Sequence, residues 1–167
     1  MQPVLQARMP HRSPLHDQSD VRTGCRCSLY SGSIVELSLD TRHKIITLDR
    51  ARDLAEESRR SGSPPVAFVT HLEVLRAGHV RKLEELAAEA RGKLFVILTD
   101  PAAPLVPMDA RAELAAALRV VDYVIPSAEG ADPALAAIAP GFTVHDEEED
   151  RVRTRQLIEH VRSRSRI

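Results

Sequence analysis

Val66-Ala67-Phe68-Val69-Thr70-His71-Leu72-Glu73-Val74-Leu75-Arg76-Ala77-Gly78-His79-Val80 is the stretch on which the fold turns. Val66 to Val69 is short and wholly apolar, as a strand buried on both faces must be. From His79 to Arg91, Val80, Leu83, Leu86, Ala87 and Ala90 fall on one helical face, and Gly92 offers a natural end. The pattern repeats downstream. Leu94 to Leu98 reads as a second buried strand that runs into the turn Thr99-Asp100-Pro101. Asp109 to Leu118 is Ala- and Leu-rich and reads as a helix. Val120 to Ile125 reads as a third strand, closed by Pro126. A short helix around Pro133–Ile138, a strand over Phe142–Val144 and a last helix over Glu148–Arg162 complete the series. Upstream, Thr47 is placed to cap a helix that reaches Arg60 and stops at Ser61-Gly62-Ser63-Pro64-Pro65. Strands alternating with helices of this length predict right-handed βαβ units. The expected fold is therefore α/β, one domain with a three-layer, Rossmann-like parallel sheet. Such sheets bind ligands at the carboxyl ends of their strands. That directs attention to the loops Thr70–Gly78 and Thr99–Met108.

Composition sets the outer limits. The chain has 167 residues, enough for one domain and a tail. Residues 1–40 are expected to be a flexible extension, with Pro3, Pro10, Pro14 and scattered Ser, and residues 41–167 the domain. Ile34 to Leu39 reads equally as a strand or a single turn. With 23 basic and 24 acidic residues the net charge is -1, which argues against coating nucleic acid or an anionic membrane. Aromatic residues are 3% and Trp is absent, so base-stacking platforms are excluded. No apolar run approaches membrane-spanning length, and nothing at the amino terminus reads as a signal peptide. The expectation is a cytoplasmic protein with no nucleic-acid or membrane partner, with room for a homodimer. Cys25 and Cys27 are too close for an easy bridge, and with His11 and His16 they match no standard zinc spacing. Neither a Gly-x-Ser-x-Gly elbow nor a P-loop occurs. Only Lys44, Lys82 and Lys93 are lysines, and glycines number 7.

The segment from Thr70 to Val80 resembles the cytidylyltransferase-like nucleotidyltransferases, in particular the adenylyltransferase domain of heptose-phosphate enzymes. That family has a buried strand, Gly-x-Phe-Asp, Leu-His-x-Gly-His and then a helix. The resemblance extends over about residues 43 to 162. Lys44-Ile45-Ile46-Thr47-Leu48 is similar to the start of the family's leading helix. Thr99-Asp100 is similar to its Asn-Ser-Asp strand end. Pro107-Met108-Asp109-Ala110-Arg111, with Ala115 to Leu118 and Val121 to Val124, follows its later segment. The resemblance implies transfer of a nucleotidyl group from ATP or CTP, with Mg²⁺, to a sugar or polyol phosphate. Such a reaction relies on positioning and charge neutralisation. It also implies roles. His79 and Arg76 would be catalytic, binding phosphates and stabilising the transition state. Gly78 would let a phosphate approach the backbone. Thr70, Glu73, Thr99, Asp100 and Arg111 would border the nucleotide and phosphates. No protein metal ligand is implied.

The departures are specific. Arg76 replaces the family's first motif histidine, keeping positive charge without a releasable proton. Thr70-His71-Leu72-Glu73 replaces Gly-x-Phe-Asp. Leu98 stands at the usual Asn. The late Lys-Gly phosphate grip should fall near Val144-His145-Asp146, and the acidic run Glu147 to Asp150 follows it. Arg153 and Arg155 stand as its partial replacement. The acidic run also reads as a helix start that complements the dipole, with Glu147–Arg151 and Glu149–Arg153 pairs. The basic end Arg162 to Arg166 reads as a solvated tail. Two functional readings follow. One is a nucleotidyltransferase with reduced or lost activity. The other is a catalytically inactive relative used as a nucleotide- or protein-binding regulatory module. They differ in whether loop 70–79 leaves an open cleft or fills it with His71, Leu72 and Arg76.

Overall fold

The structure is a computed structural model and describes residues 40–165. Readings that fall on the extension lie outside these residues: Ile34–Leu39, Cys25 and Cys27, and the neighbouring histidines. A 3-10 turn, Thr41–Lys44, leads into α1 (Leu48–Arg60), β1 (Val66–Thr70), α2 (Ala77–Glu89) and β2 (Leu94–Leu98). Then come α3 (Met108–Ala116), β3 (Tyr123–Pro126), α4 (Asp132–Ile138), β4 (Phe142–His145) and α5 (Glu147–Arg164). The four strands form one parallel sheet in the order β3-β2-β1-β4. Helices flank it on both faces, a Rossmann-like α/β architecture.

The wholly apolar strands explain this layering. Alternate residues of a strand point to opposite faces, so a strand covered on both sides needs apolar residues throughout. Phe68, Val96 and Val124 face α2 and α3, packing with Leu83, Leu86, Ala112 and Ala115. Ala67, Val69, Phe95, Ile97 and Ile125 face α1 and α4, packing with Ala51, Ala55, Ala134 and Ile138. Register pairs Val66 with Leu94 and Thr70 with Leu98, so β1 and β2 end level. Thr47 caps α1 as expected, its Oγ1 accepting from the Arg50 N–H at 3.4 Å.

Three local expectations need correction. The third strand begins at Tyr123 rather than Val120. Asp122 accepts from the Leu94 N–H at 2.9 Å, so a side chain takes the donor there, and Val121 turns into the core. Lys44 ends the 3-10 turn, and Ile45-Ile46 is extended rather than part of the leading helix. Ile45 bridges to Val124, and the Ile46 N–H donates to the Val124 carbonyl at 2.9 Å, adding a short extended segment beside β3. Gly92 does not end α2, which stops at Glu89 with Ala90 already extended. A Cβ at Gly92 would lie 2.1 Å from the Pro64 carbonyl oxygen, so glycine is required by that close crossing.

Candidate functional site at the strand ends

Thr70 ends β1 completely buried, and the chain then bends through Leu72, buried at φ +49°. A leucine in the left-handed region costs on the order of 1 kcal/mol and persists only where neighbours hold it. Here the Leu72 N–H donates to Asp150 Oδ2 at 2.6 Å and to Thr70 Oγ1 at 3.2 Å. The Thr70 hydroxyl donates to the same Asp150 oxygen at 3.3 Å. Arg76 Nη2 donates to Asp150 Oδ1 at 3.1 Å, and His79 Nε2 lies 3.4 Å from that oxygen. Asp150 sits in the first turn of α5, and nothing of it is exposed. Three elements thus converge on one buried carboxylate.

His79 is equally buried. It occupies the first turn of α2, and its Nδ1 accepts from the Arg76 backbone N–H at 3.3 Å. Its Nε2 faces the carboxylates of Asp150 and Asp146 and lies 2.9 Å from Arg76 Nη2. Asp146, the N-cap residue of α5, lies one helical turn before Asp150 on the same face. Its Oδ1 pairs with Lys82 of α2. Its Oδ2 is 3.6 Å from His79 Nε2 and has no hydrogen-bond donor among the described residues. Lys82 also pairs with Glu149, which in turn pairs with Arg153. Burial pushes the Asp150 carboxyl upward. Its contacts with His79, the Leu72 N–H and Arg76 outweigh that, so its pKa lies below the ordinary aspartate value.

A second cluster staples the two loops. Arg111 of α3 is fully buried. Its Nε donates to the Val106 carbonyl at 3.0 Å, and its Nη1 to the carbonyls of His71 at 2.6 Å and Thr99 at 2.9 Å. Its Nη2 pairs with Asp100. Glu73 accepts from the Leu105 N–H at 2.5 Å, and Thr99 Oγ1 lies 3.0 Å from His71 Nδ1. The planar guanidinium fits this role because its donors fan out in one plane.

The eight expected site residues thus fall into two groups. Thr70, Arg76 and His79 surround Asp150 with Gly78 beside them in the first turn of α2, while Glu73, Thr99, Asp100 and Arg111 knit the loops. Gly78 leaves room for a close approach, and Arg153 occupies it: a Cβ there would meet Arg153 Nη1 at 3.4 Å. The acidic run opens α5 as expected, with Glu147, Glu148, Glu149 and Asp150 in the first turn. Glu149 does pair with Arg153, but Arg151 pairs with Glu148 rather than Glu147. Asp146, Asp150 and Lys82 were not singled out as site residues from sequence. Their signal was the four-residue spacing of the two aspartates, which puts both on one face of α5. Of the three residues that would fill the cleft in the inactive reading, Leu72 is buried and Arg76 half-buried. His71 instead borders a remaining cavity of about 330 Å³ together with Leu105, Thr154 and Ile158. A larger cavity of about 470 Å³ lies at the opposite end of the sheet, at the amino ends of the strands, lined by residues including Ser63, Lys93, Asp122 and Tyr123.

The carboxylates here fit a magnesium ion poorly. Asp150 is held by the Leu72 N–H and Arg76, Asp100 Oδ1 pairs with Arg111 and Asp146 Oδ1 with Lys82, which leaves Asp146 Oδ2 as a lone buried carboxylate oxygen among the described residues. Among the described residues, no group of three or more His, Cys, Asp or Glu is arranged to hold a metal. Nor, among them, is any helix long and apolar enough to cross a membrane. No protein-family model and no curated protein matches the chain.

Proposed function

We propose that this chain is a catalytically inactive relative of the cytidylyltransferase-like nucleotidyltransferases, serving as a binding module rather than a transferase. The ancestral reaction is transfer of a nucleotidyl group from ATP or CTP to a sugar or polyol phosphate. The Rossmann-like sheet and the order of motifs along it support the ancestry. One observation carries the loss of activity. The groups the reaction would turn towards phosphates are engaged by this chain's own carboxylates and carbonyls: His79 and Arg111 are fully buried, and Arg76, 24% exposed, pairs with Asp150. A cation already neutralised in a buried pair has little attraction left for a triphosphate, and separating the pair leaves an uncompensated buried charge. The exposed apolar residues Leu157 and Val161, on the outer half of α5, favour a protein partner over a nucleotide.

The test is a pyrophosphate-release assay with ATP or CTP, Mg²⁺ and a panel of sugar and polyol phosphates, paired with calorimetric titration of each nucleotide. The expected result is no release and no nucleotide binding at millimolar concentration. Release that His79→Ala abolishes would overturn the reading.

A further inference from the structure

We propose that Asp150 is the built-in occupant of an anion cradle, a carboxylate delivered by α5 to the place where an external phosphate would sit. The proposal rests on the reading of this site as a relict phosphate grip and says what became of it.

The cradle is defined by its donors. The Leu72 N–H, the Thr70 hydroxyl, the Arg76 guanidinium and the His79 ring all converge on the two oxygens of Asp150, at 2.6 to 3.4 Å. Backbone N–H, hydroxyl and guanidinium donors meeting beside the first turn of a helix, with an imidazole at 3.4 Å, form an arrangement suited to an oxyanion. It is built from buried groups: Thr70, Leu72 and His79 are all inaccessible. Without an anion, the Thr70 hydroxyl and Arg76 would lose this acceptor, and the left-handed Leu72 would keep only Thr70 Oγ1, the more distant of its two acceptors.

Asp150 meets that demand from within the chain. It is attached to a helix whose start is fixed a second time by the Asp146–Lys82 pair, one turn away. Lys82 lies on α2, the same helix that carries His79, so both contacts dock α5 onto the start of α2. A tethered anion acts at high effective concentration, and a free phosphate must displace it before binding. The Glu149–Arg153 pair adds a cover, because Arg153 reaches the open side of Gly78. The same change explains the acidic run that follows β4. In a phosphate-binding protein it would repel the ligand. Here one of its members replaces the ligand.

The test removes the carboxylate and supplies an anion. Full-length protein and the Asp150→Ala variant are titrated with inorganic pyrophosphate by calorimetry. They are also melted in pyrophosphate and in sodium chloride of matched ionic strength. The variant is expected to bind pyrophosphate at least about tenfold more tightly than the unaltered protein, a difference of about 1.4 kcal/mol. Its melting temperature should rise with pyrophosphate beyond the chloride control, while that of the unaltered protein does not. Adding Arg76→Ala should remove the gain. If Asp150→Ala is unfolded in buffer, pyrophosphate but not chloride should restore its circular dichroism. A folded variant with no gain, or an unfolded one that pyrophosphate does not restore, overturns the proposal. Pyrophosphate release from ATP or CTP by the unaltered protein would instead defeat the functional reading, and the variant's anion gain is scored separately from it.

Discussion

At the carboxyl ends of the strands, Asp150 and Arg111 are wholly buried and each is held by several partners from other elements. At the amino ends, Lys93 and Asp122 pair at 2.9 Å with their side chains 55% and 33% exposed. The two ends belong to one sheet, yet they handle charge by different physics. A solvated pair is screened and contributes little. A buried pair makes removal of either partner expensive, because the survivor is left without water or counter-charge. The carboxyl end of a parallel sheet is also where the starts of helices gather, so its free N–H groups call for anions. In this chain those anions are side chains. The amino end has no such demand, and the larger open cavity lies there.

Arg111→Ala should be the most damaging change. It strands Asp100 and the carbonyls of His71, Thr99 and Val106, and about 4 kcal/mol of stability should be lost in urea unfolding. Arg111→Lys should recover only a small part of this, since an ammonium cannot span those acceptors. A loss below about 1 kcal/mol for Arg111→Ala would erase the contrast between the two ends.

Asp150→Asn comes next, at about 2–3 kcal/mol near neutral pH, because it keeps the shape but removes the charge that Arg76 faces. Its pH dependence is the sharper measurement. The native carboxyl is depressed, so its stabilisation is complete above the ordinary aspartate range. It fades as pH falls through that range towards the lower native value. The stability gap between the original protein and Asp150→Asn should therefore be constant from pH 7 to about 5 and shrink in more acidic solution.

At the amino end, Gly92→Ala should cost about 2 kcal/mol, through backbone displacement against Pro64. Because that effect is steric, it should not change with salt. Lys93→Ala should be the mildest, at about 0.5 kcal/mol, and should vanish in molar salt. The Lys93 ammonium is held above its ordinary pKa mainly by the hydrogen bond to Asp122, with the pair's attraction adding to it. A salt-insensitive loss at Lys93 would show that the amino end is less solvated than its exposure indicates.

Much of the fold was legible before any coordinates. Val66 to Val69 and Leu94 to Leu98 are apolar without alternation, and only burial on both faces accounts for that. Thr47 and the Pro64-Pro65 stop bounded α1 correctly. The errors came where a side chain competed with the backbone. Asp122 took the Leu94 N–H and delayed β3, and Ile45 joined the sheet edge through a long-range bridge. The site was legible as a set of names but not as an arrangement. His79 read as a phosphate ligand, whereas it is completely buried beside Asp150 and Asp146. Glu147 to Asp150 read as one acidic run, although within it Glu148 is exposed while Asp150 is enclosed.

By itself, then, the sequence determined the alternation of strands and helices, and with it a parallel sheet whose β1 loop opens onto the start of α2. Those features depend on local propensity and hydrophobic periodicity, which neighbouring residues carry. Only the tertiary structure decided what fills that loop. Asp150 lies 80 residues from Thr70 and 78 from Leu72 along the chain. No local pattern records that a carboxylate so distant will meet those donors, because the docking of α5 against β1 and α2 alone brings them together.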